Sequence, residues 1–227
     1  GKIFVLDLEA KEVTDEITWG KDGDYEGIAV KDSTIFILKS NGTIYEFHFS
    51  SPDKVVEHNT SLINKHNAEG LCYDRNLNRL LVACKGYGSG DDPGKRAIFA
   101  FALETQELVQ EPVFQVEMAE LEEMLVNNGL DEFSMKLVQA FQLEDAVFMP
   151  SGIAIHPVNG WYYLTSARNN LIVAINENQE IKELQLLEHP AFLQPEGITF
   201  AENGDVYISN EGKLKRPNIL KFSYGEN

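Results

Sequence analysis

Short apolar runs recur along the chain, and four of them begin with a similar polar–glycine pair. The four pairs are Glu26-Gly27, Glu69-Gly70, Ser151-Gly152 and Glu196-Gly197. Self-similarity at a period of roughly 40 to 50 residues, built on short strands, is the sequence signature of a β-propeller. The pattern therefore predicts an all-β fold in which each repeat forms one four-stranded blade.

We call each of these polar–glycine pairs a strand head. Each head is followed by further runs rich in β-branched and aromatic residues, which predict the other strands of a blade. In the first repeat these runs are 34–38, 43–49 and 54–58. Two later turns, Asn159-Gly160 and Asn203-Gly204, carry a dipeptide typical of tight hairpins, where a positive φ is needed. The same strand order is therefore expected in every repeat.

The spacing of the repeat is regular except in the middle of the chain. The first two heads are 43 positions apart and the last two are 45 apart, whereas the middle two are 82 apart. Within 117–144 the apolar positions recur at intervals of three and four, which is typical of helices. We therefore expect a short helical insertion at about 117–144, with two helices separated by Asn127-Asn128-Gly129, in place of a degenerate extra blade.

The two ends of the chain do not form whole repeats. Residues 1–19 match the third and fourth strands of a blade, and the last repeat, from Gly197 to Tyr224, supplies three strands. Because an unpaired edge promotes aggregation, propellers commonly close by letting an N-terminal strand complete the last blade. The sequence therefore predicts a single five-bladed domain over 1–227, with its N-terminal blade completed by residues upstream of Gly1. The alternative is a ring that closes imperfectly.

Composition agrees with one globular unit and limits its partners. The 227 residues are 43% hydrophobic and 24% charged, and the formal net charge is −17. Such acidity argues against nucleic acid or an anionic membrane as a partner and is compatible with collecting cations or with solubility alone. No apolar run approaches the length of a spanning helix, about 18 residues or more, and no signal peptide is visible. We expect a monomer, attached to a membrane only through a leader or anchor outside these residues.

Blade geometry predicts where a ligand would bind. The first strand of each blade lines the central channel, and its first residues lie at the same end as the last residues of the antiparallel second strand. Two sets of side chains should therefore converge at one channel mouth and are candidate ligand-binding residues. They are Glu26, Glu69, Ser151 and Glu196 from the first strands, and Lys39, Lys85, Ser166 and Asn210 from the second strands, with Arg168 close behind. No catalytic residue is identified among them.

The negative charges of the three candidate carboxylates could be neutralised either by lysine side chains or by a metal ion. Three carboxylates around one mouth repel one another and raise their pKa values unless a cation or hydrogen-bond donors compensate them. Lys39 and Lys85 stand at matching positions in the first two repeats, and each could pair with the carboxylate of its own repeat. In the other two repeats the partners are neutral oxygen-bearing side chains, which suit Ca²⁺ or Mg²⁺. A metal ion, if one binds, is expected at Glu196 and Asn210, away from the lysines.

The four heads and the segment 205–212 resemble the SdiA-regulated (YjiK-like) family of bacterial β-propellers over essentially the whole chain. The helical insertion and the acidic balance resemble Bacteroides-type members. The resemblance implies a β-propeller fold and calcium as the candidate cofactor. It implies no established reaction. It also implies export to the periplasm or cell envelope, as a lipoprotein or membrane-anchored protein whose leader precedes the propeller.

A broader similarity is to the regucalcin/gluconolactonase and NHL-type propellers, in which a divalent metal at one end of the channel serves lactone hydrolysis. Glu196 and Asn210 match such ligand roles by position only. The chain departs from that pattern at Lys39 and Lys85 and offers no clear aspartate as a general base. Two functions stay open: an exported propeller that binds a small ligand or a protein partner, and a metal-dependent hydrolase of a small lactone or ester.

Overall fold

The structure is a computed structural model that describes residues 1–87, 92–127, 147–212 and 215–225. Its strands form antiparallel sheets that follow the order of the chain. A hairpin contains β1 (Lys2–Asp7) and β2 (Glu12–Thr18), and the first blade contains β3 (Tyr25–Lys31), β4 (Thr34–Lys39), β5 (Ile44–His48) and β6 (Ser51–His58). The second blade contains β7 (Ala68–Asp74), β8 (Arg79–Tyr87), β9 (Lys95–Ala102), β10 (Glu107–Leu108) and β11 (Phe114–Glu117). The third blade contains β12 (Pro150–Ile155), β13 (Tyr162–Ser166), β14 (Leu171–Ile175) and β15 (Ile181–Leu186), and the fourth contains β16 (Pro195–Phe200), β17 (Val206–Asn210) and β18 (Asn218–Phe222).

The inner strands of the four blades pack side by side in the order β3, β7, β12 and β16. Their approach is close enough to require glycine. A Cβ atom on Gly70 would lie 3.0 Å from the backbone of Gly152, and one on Gly27 would lie 2.7 Å from Cβ of Leu71. The recurring glycine that predicts the repeat is therefore a packing requirement between inner strands at Gly27, Gly70 and Gly152.

The apolar core lies between neighbouring blades. One cluster fills the interface of the first and second blades, with Phe36 and Phe101 among its largest side chains. Another fills the interface of the second and third blades. The β1–β2 hairpin packs on the first blade through Trp19, whose ring stacks on Phe47 at a centroid distance of 5.2 Å. The chain thus forms an all-β, propeller-like arrangement, as predicted, in which the described residues contain four blades, and the five-blade count remains a proposal.

The insertion between the second and third blades begins with a helix, as predicted. α1 (Met118–Asn127) buries Leu121 and Leu125 against the core of the second and third blades. The second predicted helix falls in 128–146, outside the described residues. No helix of the described segments has the length and apolar character needed to span a bilayer.

Candidate functional site

A β-bulge marks the start of every inner strand. The register between the inner strand and the second strand shifts at one residue in each of the four blades. The residues within these shifts are Glu26, Glu69, Ser151 and Glu196. A bulged residue has no pairing partner in the ladder, and the bulge re-aims its side chain. The four predicted mouth residues therefore occupy equivalent and structurally special positions.

In three blades the second strand ends opposite the bulge, whereas β8 of the second blade continues to Tyr87, and the predicted alignment fails there. Lys39 ends β4 opposite Tyr25, and Ser166 and Asn210 hold the corresponding places in the third and fourth blades. In the second blade this place belongs to Cys84, which pairs with Ala68.

Lys85 lies one residue further along, where its backbone N–H donates to the carbonyl of Asn67 at 2.9 Å. Its counterparts are Ser40 in the first blade and Glu211 in the fourth, which make the same kind of backbone bond. Since successive side chains along a strand point to opposite faces, Lys85 and Lys39 are not equivalent. The predicted match of the two lysines is wrong, because the second blade has its register set by the Ala68–Cys84 pair.

This difference decides which carboxylate is compensated. Lys85 Nζ lies 3.1 Å from Oε1 of Glu69, and the Asn67 side chain donates to the same oxygen at 2.7 Å. The Glu69 side chain is only 7% exposed, so this is a largely buried ion pair. Among the described residues Lys39 makes no ion pair with Glu26. Of the two ion pairs that the sequence suggests, the Glu69–Lys85 pair is present.

Glu26 is the least compensated of the three carboxylates. The pKa of Glu26 is raised to about 7, first by burial, then by the charges of Glu69 and Asp24 and by a hydrogen bond with Asp24; the charge of Lys85 opposes this rise. Two carboxyl groups that share a hydrogen bond favour the state in which one of them is protonated. Glu26 is therefore a carboxyl group that titrates near neutral pH.

Glu196 is also half-buried, and its neighbours shift its pKa. Burial raises the pKa of Glu196, a hydrogen bond from Gln194 and the charge of Lys85 lower it, and the charges of Glu69 and Glu211 raise it. The Gln194 amide nitrogen donates to Glu196 Oε1 and also to Glu211 Oε2 at 2.7 Å. Because Glu69 and Lys85 act on both Glu26 and Glu196, the three carboxylates and this lysine form one electrostatic cluster. We call this cluster, together with Asn210 and Gln194, the channel-mouth site.

Two oxygen atoms of this site are buried without a hydrogen-bond donor. They are Oδ1 of Asn210, a residue that is 3% exposed, and Oε1 of Gln194. The Asn210 amide nitrogen is engaged, since it donates to Oδ1 of Asn218 at 3.0 Å. A buried acceptor without a donor costs about 1–3 kcal/mol, and native proteins rarely leave one unpaired without a reason. The fourth blade therefore has two unsatisfied acceptor oxygens near the start of β16, where Asn210 pairs with Pro195 and Gln194 hydrogen-bonds Glu196.

The two serines of the predicted site are satisfied by the fold. The Ser151 hydroxyl donates to the Pro195 carbonyl at 2.7 Å and so connects the third blade to the fourth. The Ser166 hydroxyl accepts from the backbone N–H of Met149 at 3.0 Å and donates to the Arg168 carbonyl at 2.8 Å. Both serines are fully buried, whereas the Arg168 side chain is exposed. The structure thus brings Glu26, Glu69, Glu196 and Lys85 together, while the hydroxyls of Ser151 and Ser166 stabilise the blades.

Sequence reasoning missed a second ring of side chains, two residues before each bulge. Asp24, Asn67 and Gln194 hold this position in three blades, and each hydrogen-bonds the bulged carboxyl group that follows it. The third blade has Met149 there, two residues before Ser151. The common offset from the glycine was a signal that could have found them.

The site contains many oxygen atoms that could bind a metal ion, but its carboxylates are distributed over three blades. Within the portion of the chain that the structure describes, no three or more His, Cys, Asp or Glu side chains are grouped so as to hold a metal ion. Asn210, Gln194 and Glu196 could supply one carboxylate and two amide oxygens to a cation.

Solved structures share this fold at low sequence identity. A protein of unknown function from Bacteroides caccae is 14% identical over 100% of this chain, with a TM-score of 0.55. Another from Bacteroides thetaiotaomicron is 10% identical over 98% (TM-score 0.56), and a gluconolactonase from Xanthomonas campestris is 10% identical over 88% (TM-score 0.52). The chain spans 66%, 47% and 58% of the lengths of these three proteins, respectively. No protein-family profile and no curated protein matches it. At these identities the likeness shows the fold alone, which is that of a β-propeller.

Proposed function

We propose that the chain is a ligand-binding β-propeller and that its ligand binds at the channel-mouth site on the side of the fourth blade. One observation carries this proposal: Asn210 Oδ1 and Gln194 Oε1 are buried acceptors without donors, in residues that pair with Pro195 and hydrogen-bond Glu196 at the start of β16. A bound cation, or a ligand that brings hydrogen-bond donors, would satisfy such acceptors.

Calcium is the occupant that we propose first, with magnesium as the second choice. Both are hard cations that take carboxylate and amide carbonyl oxygens, and Ca²⁺ tolerates irregular geometry and water ligands. Glu196 would supply the charged ligand, and Asn210 and Gln194 would supply neutral oxygens. The charge of Lys85 acts on Glu196, so a cation bound here would not escape the field of that lysine.

Thermal unfolding with and without divalent ions tests this assignment. At a calcium concentration 100-fold above the dissociation constant, binding stabilises the folded state by about 2.7 kcal/mol. For a chain of this size, that raises Tm by roughly 5–10 °C. The rise should disappear in Glu196→Gln and persist in Glu188→Gln, which makes the same change at an exposed position. A wild-type Tm that responds to no divalent ion would refute the cation site.

We also propose the finer assignments that the sequence suggests. These are a five-bladed ring, membership of the SdiA-regulated family, a monomeric state and export to the periplasm or cell envelope. The β1–β2 hairpin, which packs beside the first blade, supports the blade count, and the four strand heads support the family. Subcellular fractionation that finds the natural protein in the cytoplasm would contradict export. An experimental structure with four or six blades would contradict the count.

A metal-dependent hydrolase of a small lactone or ester is the second candidate. The observation that favours it is Glu26, because a carboxyl group with a pKa of about 7 is suited to general acid–base catalysis near neutral pH. Hydrolysis of glucono-δ-lactone and simple esters, followed with a pH indicator in the presence of calcium, is the assay. We expect turnover to fall at least about 100-fold in Glu26→Gln if this candidate is correct. A wild-type protein that binds calcium but turns over no lactone or ester would eliminate it.

A further inference from the structure

We propose that His156 forms an acid-sensitive clasp between the third blade, the fourth blade and Tyr224 near the C-terminal end. The clasp is closed while the imidazole ring is neutral, and it loosens when the ring is protonated. This inference goes beyond the proposed ligand binding and does not depend on it. His156 follows the end of β12, whereas the channel-mouth site lies at the starts of the inner strands.

The Nδ1 atom of His156 accepts hydrogen bonds from the backbone. The N–H of Val158 donates to it at 3.2 Å and the N–H of Asn159 at 3.3 Å, in the turn between β12 and β13. A ring nitrogen that accepts carries no proton, so the proton of the neutral ring is on Nε2. A protonated ring has a proton on both nitrogens and accepts at neither. Protonation therefore leaves two N–H groups of this turn without their acceptor.

The second blade builds the same turn with a different acceptor. Asp74 and His156 each lie four residues after the glycine of their strand head. Asp74 Oδ1 accepts from the backbone N–H groups of Asn76 at 3.1 Å and Leu77 at 3.3 Å, again two and three residues further on. A carboxyl group keeps acceptor capacity in both protonation states, whereas an imidazole does not. The third blade thus has a pH-dependent acceptor where the second blade has a permanent one.

The ring of His156 also connects separate parts of the molecule. His156 is 3% exposed, and its ring centroid lies 5.7 Å from that of Tyr163 in its own blade. It lies 4.7 Å from the ring of Phe200, which ends β16 of the fourth blade, and 4.9 Å from the ring of Tyr224. Burial lowers the pKa of His156, and the charge of Glu183 opposes this. The folded protein therefore favours the neutral ring.

Tyr224 holds the C-terminal end of the described chain on the fourth blade. Its backbone N–H donates to Asp205 Oδ1 at 3.0 Å, and Asp205 also pairs with Lys221 at 2.8 Å. Its ring covers the turn at Gly204, where a Cβ atom would lie 2.7 Å from it. The contact with His156 ties this folded-back end to the third blade.

The groups that face the ring set the pH window of the clasp. Burial raises the pKa of Tyr163, and its hydroxyl donates to Glu183 at 3.4 Å. The hydrogen bond from Lys221 holds the pKa of Asp205 at about 2, so this carboxylate stays charged. Because the pKa of His156 is lowered from 6.5, the unfolded chain takes up the proton first as pH falls. The stability that the neutral ring contributes is therefore lost progressively below about pH 6.5.

Hydrogen exchange of the wild type at pH 7.5 and pH 5.5, measured by mass spectrometry in chelator and corrected for the intrinsic effect of pH, tests the clasp. Protection of 156–161 and 222–225 should fall several-fold on acidification. The upper limit is about tenfold, for one pH unit below the ordinary pKa of histidine. The second-blade turn, 74–79, is the internal control and should keep its protection. Unchanged protection of 156–161, or an equal loss in both turns, would overturn the proposal.

Two substitutions separate the ring from its acceptor. His156→Phe keeps an aromatic ring that cannot be protonated, and His156→Asn keeps an acceptor like that of Asp74. Both should lose protection at pH 7.5 relative to the wild type and should show no further loss at pH 5.5. His48→Asn is the matched control, because His48 is exposed and accepts from the N–H of Ser50 at 3.2 Å. It should respond to acid as the wild type does.

The variants also provide an outcome that contradicts the clasp. An acid response that persists in a folded His156 variant would assign the effect to another group and overturn the proposal. If neither variant folds, the comparison of the two turns in the wild type decides, since it needs no substitution.

Discussion

Replacement of Glu26 by glutamine should remove a pH-dependent loss of stability. The folded-state pKa of Glu26 is raised from 4.5 to about 7, mainly by burial and then by the charges of Glu69 and Asp24. A carboxyl group with a raised folded-state pKa binds its proton more tightly in the folded protein than in the unfolded chain. The free energy of unfolding therefore falls as pH rises from about 4.5 to about 7. Below that window both states are protonated, and the group imposes no penalty.

The size of this effect follows from the change in pKa. A rise from 4.5 to about 7 sets an upper limit of about 3 kcal/mol. Because Glu26 is only half-buried, solvent screening reduces this to roughly 1–2 kcal/mol. For a chain of this length each kcal/mol changes Tm by about 2–4 °C. Glu26→Gln should therefore unfold roughly 3–6 °C above the wild type at pH 8.

Thermal unfolding followed by circular dichroism in chelator, between pH 5 and pH 8, measures this difference. The chelator matters because a bound cation would compensate the same charge. The gap between Glu26→Gln and the wild type should widen steadily with pH, whereas Glu188→Gln, an exposed control, should follow the wild type throughout. A gap that is constant across the range, or a variant that is less stable than the wild type at pH 8, would refute the reasoning.

Three further predictions concern the packing that supports the site. Gly70→Ala should destabilise the protein by about 1–3 kcal/mol in urea unfolding, because the new methyl group meets the backbone of the third blade at 3.0 Å. Ser151→Ala should cost about 1–3 kcal/mol in the same assay, because it leaves the Pro195 carbonyl without its 2.7 Å donor. Trp19→Ala should remove about 3–5 kcal/mol of packing and speed hydrogen exchange in the β1–β2 hairpin while sparing the third blade. Unchanged stability of Gly70→Ala or Ser151→Ala, or unchanged exchange in the hairpin of Trp19→Ala, would contradict the packing described.

The repeat could be predicted from the sequence because its signal is a steric requirement. The inner strands approach so closely that glycine is needed at Gly27, Gly70 and Gly152, where a Cβ atom would meet the neighbouring strand. A steric requirement of this kind places the same residue type at the same position of each repeat. The helix at the start of the insertion could be predicted for a related reason, since Leu121 and Leu125 are spaced to bury one helical face.

The register of the second blade could not be predicted in this way. Lys39 and Lys85 each follow an apolar second strand, and nothing local distinguishes them. Pairing across a hairpin depends on the turn and on bulges, and a one-residue slip reverses which face a side chain occupies. In the structure the Ala68–Cys84 pair sets the register of the second blade, and Lys85 consequently lies beside Glu69.

The roles of the two serines were equally hidden. Ser151 appeared equivalent to the three glutamates because it precedes the same glycine. Its short side chain instead reaches the Pro195 carbonyl of the adjoining blade, a contact that depends on how two inner strands meet in space. Sequence spacing within one repeat carries no information about that distance, which is why the position could be found and its partner could not.

The bulge at the head of each inner strand separates the part of the repeat that builds the ring from the part that recognises a ligand. The glycine that follows the bulge is fixed by the neighbouring inner strand at Gly27, Gly70 and Gly152, whereas the bulged residue has no pairing partner in the strand ladder. Exchange at positions 26 and 196, where the bulged side chains are only partly buried, should therefore alter the chemistry of the opening without altering the pairing of any strand. This makes the two positions natural sites for a combinatorial library, in which one scaffold presents many different openings.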